Sequence, residues 1–183
     1  MERVPEWTFA ARSRWRYTGN ERPPVARTPS QGEQSVWDFP RPPAIEPVQA
    51  EVYVRAGGLE IARSQQCLRV LETGGPPTYY LPDCDVRSSL LKPASDRSWC
   101  EWKGEARYWT LNLEGAQLPA AWDYPAPFPE FDRLRYHFSF YPERLDCFVG
   151  PVRALPQPGG FYGGWITPEL VGPFKGEPGT ESL

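Results

Sequence analysis

Residues 100 to 109 read Cys-Glu-Trp-Lys-Gly-Glu-Ala-Arg-Tyr-Trp, which sets three large aromatics, an ammonium and a thiol around one glycine. Such a set can line a concave, partly polar pocket. Lys103 beside Gly104 can meet a phosphate or carboxylate of a ligand, and the alternative for it is a solvated lysine at a strand end. Trp102, Tyr108 and Trp109 can stack on a flat ligand, although aromatics at alternate strand positions are commonly core. We assign Trp109 to the core and Trp102 to a pocket. Cys100 is a nucleophile only if a base reaches it, and His137 is the single histidine; an inert thiol is the simpler reading.

Other groups could join this cluster. Glu72 ends an apolar strand before Gly74-Gly75-Pro76-Pro77, where a carboxylate can face a cleft and partial burial raises a carboxyl pKa. Its alternative is an ion pair with Arg69 or Arg107. Tyr79, Tyr80 and Tyr141 offer phenols to a ligand or to the backbone. Glu72 and Lys103 are the candidate catalytic pair, the carboxylate as acid or base and the ammonium as electrostatic stabiliser.

The elements that must position these groups follow from pattern. Glu51 to Arg55 and Leu59 to Ala62 flank Ala56-Gly57-Gly58 and predict a hairpin. Cys67 to Glu72, Thr78 to Leu81 and residues 105 to 113 predict further strands. In the last of these Ala106, Tyr108 and Thr110 face one way and Arg107, Trp109, Leu111 and Leu113 the other. Residues 129 to 137, with Pro129 first and Phe131, Leu134 and Phe138 at helical spacing, predict one short helix. Phe138 to Phe140 and Leu145 to Val149 close the series. The fold class is mainly β with one short helix.

Proline and glycine divide the 183 residues into an arm over 1–50, a central domain over 51–149 and an extension over 150–183. The arm's prolines predict an extended, irregular course, and its tryptophans predict that it lies against the domain. Five arginines between Arg12 and Arg27 suit either RNA or a phosphorylated partner, or else a contact with an acidic core, and we favour the core. The extension's Pro158 to Trp165 run lacks the strand, helix and Lys-Ser/Thr context of a phosphate cradle. It reads as coil whose aromatics pack inward.

Composition limits the partners. A net charge of −3 provides no global field for nucleic acid or an acidic membrane. No apolar run approaches the ~20 residues of a membrane span, and Met1 to Trp7 lacks a signal peptide's pattern, so a cytoplasmic location is expected. Cys67, Cys84, Cys100 and Cys147 are widely spaced without a Cys-x-x-Cys pair, so no metal and no cofactor is expected.

Six ordered motifs support a family resemblance. They are Arg69-Val70-Leu71-Glu72-Thr73, Pro76-Pro77-x-Tyr79-Tyr80-x-Pro82, Asp85-Val86, Cys100-x-Trp102-Lys103-Gly104-x-Ala106-x-Tyr108-Trp109, Ala121-Trp122-x-Tyr124-Pro125 and Phe140-Tyr141-Pro142-x-Arg144-x-Asp146. Over about 51 to 149 the chain resembles the domain of unknown function 427 family, and its flanks resemble the longer cyanobacterial versions. Glu101 stands where the family commonly has proline. The resemblance implies an Mss4-like, or β-tent, fold of two small antiparallel sheets, with irregular flanks packed on it. Relatives in that group carry zinc on paired Cys-x-x-Cys knuckles, which this chain lacks. A nucleotidyltransferase label attached to the family finds no Gly-Ser followed by Asp-x-Asp here. The expected function is a small-molecule binding module for a nucleotide or other polar ligand. An enzyme using Glu72 and Lys103, or a partner-binding protein, are the alternatives.

Overall fold

Gly57 and Gly58 turn the chain with φ of 54° and 84°, in the left-handed region that glycine enters without a Cβ penalty. The strands on either side are rich in β-branched residues and alternate between core and surface. The computed structural model describes residues 4–113 and 115–180. Its strands are β1 Gln34–Ser35, β2 Ala44–Pro47, β3 Val52–Ala56, β4 Leu59–Ser64, β5 Leu68–Leu71, β6 Thr78–Pro82, β7 Leu91–Cys100 and β8 Gly104–Leu113. They continue as β9 Ala116–Asp123, β10 His137–Phe140, β11 Asp146–Val149, β12 Val152–Arg153, β13 Leu155–Pro156, β14 Trp165–Ile166 and β15 Leu170–Val171.

The fold is mainly β, as expected. A seven-stranded sheet has the order β2-β5-β6-β10-β9-β8-β7 and a four-stranded sheet the order β12-β11-β3-β4. Every pairing within both is antiparallel. The two sheets share one apolar core, in which Val52, Val54 and Ile61 from the smaller meet Leu81, Leu111 and Phe140 from the larger, each 0% exposed. Burying an aliphatic side chain this fully stabilises by roughly 1.5–3 kcal/mol. The larger sheet exceeds the expected size because of β7 and β9, which sequence pattern does not reveal. Pro93 lies inside β7 where its register against β8 shifts. Pro119 lies inside β9 opposite Thr110, next to a second shift.

Two local expectations are corrected. The predicted helix over 129–137 is a run of 3-10 turns, Pro129–Leu134, broken at Phe131 with φ −113°. Tyr136, at φ 62°, then reverses the chain into β10, leaving no room for a full helical repeat. Phe131 and Leu134 still point inward, 3% and 0% exposed. The arm, predicted to be extended, begins with an α-helix, α1, over Glu6–Arg12. The stretch from Glu6 to Arg22 holds no proline, and Glu6 in the first turn and Arg12 in the last complement the helix dipole.

Both flanks pack on the sheets. Tyr17, Val36, Trp37 and Phe39 from the arm join Leu170 and Phe174 from the extension over Leu71. β1 and β15 pair in parallel, and Trp37 Nε1 donates to Pro173 O at 2.9 Å. Trp165 enters the main core at 0% exposure, where its Nε1 donates to Phe140 O at 2.9 Å.

Candidate functional site

Strand alternation decides which aromatics face the site. On β6 the side chains of Tyr79 and Leu81 enter the core between the sheets, whereas Tyr80 faces the opposite side. On β8 Ala106 and Tyr108 share that opposite side, while Trp109 and Leu111 lie with the main core, matching the predicted alternation. Cross-strand register sets Trp122 of β9 against Tyr108. Trp122 and Tyr124 thus extend the aromatic face, with Tyr141 at 4.5 Å from the Trp122 ring.

Above this face is a pocket of about 340 Å³. The tight turn between β7 and β8 supplies its polar end. Gly104, at φ 100°, permits Cys100 to pair with Gly104 across only three residues. The turn places Lys103 inside the pocket, 8% exposed. Glu72, just after β5, lies between two cations, with Oε1 at 3.3 Å from Arg41 and Oε2 at 3.8 Å from Lys103. These are its partners, in place of the expected Arg69, which binds Glu46, and Arg107, which binds Asp123.

Of the seven residues predicted for the site, Glu72, Tyr80, Lys103, Tyr108 and Tyr141 line this one pocket. Trp102 and Tyr79 do not. Trp102 turns away, 4% exposed, and the Arg12 guanidinium covers its ring at 4.8 Å. Tyr79 lies on the other side of the sheet, 4.9 Å from the Trp165 ring, where burial pushes its phenol up to about 12. Cys100, read as inert, does reach the pocket wall.

Sequence reasoning missed Trp15, Trp122, Tyr124, Tyr162 and Lys175. The signal for Trp122 and Tyr124 was their place in a recognised motif, two residues apart on a strand face. Trp15, Tyr162 and Lys175 carry no such signal, since only tertiary packing brings the flanks here. Trp15 is fixed by its Nε1, which donates to Glu101 Oε1 at 2.9 Å. Lys175 is fixed by its backbone N–H, which donates to Gly74 O at 2.7 Å, and by Gln157, whose Nε2 donates to Lys175 O at 2.8 Å. The Lys175 ammonium lies 3.9 Å from the Trp15 ring centre and 5.1 Å from that of Tyr162.

The electrostatics are those of a desolvated polar pocket. Burial works against the charge of Lys103, but Cys100, Tyr80, Glu72 and Glu101 outweigh it and hold the pKa above the ordinary lysine value. Burial pushes Lys175 below that value, and Glu72 only partly opposes it. Burial also raises the phenols of Tyr80, Tyr124 and Tyr141, so they remain hydrogen-bond donors at neutral pH. Tyr108 is engaged, its hydroxyl 2.5 Å from Ser98 Oγ. The Tyr80 hydroxyl is buried without a partner.

Among the described residues no three His, Cys, Asp or Glu side chains are grouped to hold a metal ion. Of the free cysteines, Cys67 and Cys147 are buried, Cys100 is half-buried and Cys84 is exposed. Among the described residues no helix is long and apolar enough to cross a membrane.

Fold and pocket together define a two-sheet β domain with an aromatic, charge-lined cavity on one sheet face. Residues 44–150 match the family described as domain of unknown function (DUF427), and the chain belongs to that family. A search of curated proteins finds none that matches the chain. The matched segment contains Glu72, Tyr80, Lys103 and Trp122, while Trp15, Tyr162 and Lys175 come from outside it.

Proposed function

We propose that the protein is a small-molecule binding module whose ligand, a nucleotide or another small polar molecule, occupies the pocket over Tyr80 and Trp122. The observation that carries this reading is the convergence of Glu72, Lys103, Tyr80, Tyr108 and Tyr141 on one cavity of about 340 Å³. That volume falls in the range of roughly 300–1,000 Å³ of small-molecule sites, which are largely apolar with a few placed polar groups. A thermal-shift screen of nucleotides and amino-acid derivatives is expected to give stabilisation that Lys103→Ala removes. A screen in which no compound shifts the wild-type melt counts against the reading.

A second reading is an enzyme on a small polar substrate, with Glu72 as acid or base and Lys103 as stabiliser of developing negative charge. It draws on their 3.8 Å approach in a partly desolvated site. A partner-binding role draws instead on Trp7, Phe9 and Trp99, which are 46%, 60% and 55% exposed, with the Trp7 and Trp99 rings in edge contact at 6.3 Å. The pocket, with its grouped polar and aromatic side chains, is the more specific feature, and the binding module is the reading we adopt.

A further inference from the structure

The pocket holds more unengaged donors than acceptors. Among the described residues, neither Lys103 nor Lys175 has a hydrogen-bond partner for its ammonium, the nearest carboxylate oxygen to Lys103 being Glu72 Oε2 at 3.8 Å. The Tyr80 hydroxyl, on a residue 0% exposed, faces Thr78 and Trp122 and is closed to a ligand. The two carboxylates are already engaged, Glu72 by Arg41 and Glu101 by the Trp15 indole. An ammonium carries three donors and no acceptor, and in a partly desolvated site it favours an acceptor oxygen. The ligand these two ammonium groups suit is therefore an acceptor.

The aromatic walls do not make this a cation cage. Cations of the protein already lie over the Trp15 ring, Arg41 and Lys175 each 3.9 Å from its centre, and Arg144 lies 4.9 Å from the Tyr141 ring centre. A second cation would meet Lys103, Lys175 and Arg41 with only two carboxylates to offset three positive charges. The remaining walls, Trp122, Tyr124 and Tyr141, are flat and suit a ring.

Resting on the binding-module reading, we propose that the ligand is an aromatic anion, a planar ring carrying a carboxylate or phosphate either directly or through a sugar. Its acid group takes the Lys103 and Lys175 donors, and its ring lies against Trp122 and Tyr141. Lys175 lies outside the family-matched segment, so the anion is gripped from both the family-matched sheet face and the extension. Burial already depresses the Lys175 pKa, and a bound anion reverses that shift, so binding weakens as pH rises through the Lys175 titration.

The test is titration calorimetry on the full chain with two matched pairs, indole-3-carboxylate against indole-3-carboxamide and adenosine monophosphate against adenosine. Charge-assisted hydrogen bonds predict that the anion of the binding pair is at least about tenfold tighter than its neutral partner. The pair with the larger gap identifies carboxylate or phosphate as the acid. Lys103→Met and Lys175→Met are each expected to remove most of that gap and leave the neutral compound little changed. Lys175 lies in the extension rather than in a sheet, so its variant keeps the test available if Lys103→Met does not fold. Neutral compounds that bind as tightly as the anions, or a gap that survives both substitutions, overturn the anion assignment but leave the pocket a binding site. Failure of all four probes to bind at about 1 mM overturns both readings.

Discussion

Replacing Arg41 by methionine tests how the arm is fastened to the site. The Arg41 side chain is 3% exposed and its Nη1 donates to Tyr17 O at 2.9 Å. Its Nη2 donates to Thr73 O at 2.8 Å and to Glu72 Oε1 at 3.3 Å. Methionine keeps an apolar stem but removes every donor and the guanidinium that lies 3.9 Å from the Trp15 ring centre. Two buried carbonyls lose their partner, at about 1–3 kcal/mol each. Glu72 retains Lys103, and removal of a buried charge returns part of the desolvation that lowers the Arg41 pKa. The net loss expected is about 3 kcal/mol, which for a chain of this size lowers Tm by roughly 6–12 °C. Urea denaturation followed by tryptophan fluorescence measures it. Arg41→Lys is expected to recover only part, because an ammonium cannot reach three acceptors with a planar fork. A loss under about 0.5 kcal/mol for methionine, or full recovery by lysine, would refute the reasoning.

Substitutions at two further positions probe the core. Burial pushes the Cys67 thiol up to about 12 from its ordinary 9.0, so the folded state holds a proton that the unfolded chain releases between those values. This stabilisation, about 4 kcal/mol at most, is complete below pH 9 and lost as pH rises toward 12. Urea titrations at about pH 8 and 10.5 are expected to show wild type losing about 2 kcal/mol more than Cys67→Ala, and parallel losses would discount the effect. Trp165→Ala removes a side chain that is 0% exposed and is expected to cost about 3–5 kcal/mol by chemical denaturation. Trp165→Phe preserves most of the packing but leaves Phe140 O without its donor, for an expected cost of about 1–3 kcal/mol; equal costs for the two variants would contradict this division.

The sequence was most legible where a local rule decided the outcome. The Gly57-Gly58 hairpin and the alternation of Tyr108 against Trp109 needed only period two and positive φ. The same rule separates Tyr79 from Tyr80, since adjacent strand residues cannot share a face, and applying it would have removed Tyr79 from the site. Trp102 and Lys103 lie in a turn, where no period applies. Arg12 of the arm covers the Trp102 ring on one side, while Lys103 enters the pocket that Trp15 helps to line. Lys175 was illegible for a related reason: its position depends on a backbone bond to Gly74, and nothing in its neighbours encodes that contact. The prolines of β7 and β9 hid the longest hairpins by resembling breaks, although shifts of register absorb them.

The parallel pairing of β1 with β15, and the Trp37 bond to Pro173 across 136 positions, have a kinetic consequence. Loops this long are closed late, because their entropic cost is met only after shorter contacts have formed. The sheets can therefore assemble while the cavity is still an open trough, and Lys175 arrives when the two flanks meet. A molecule held by both Lys103 and Lys175 selects the clasped form over the open one, so occupancy would register as slower release of the flanks, with the sheet interior little altered.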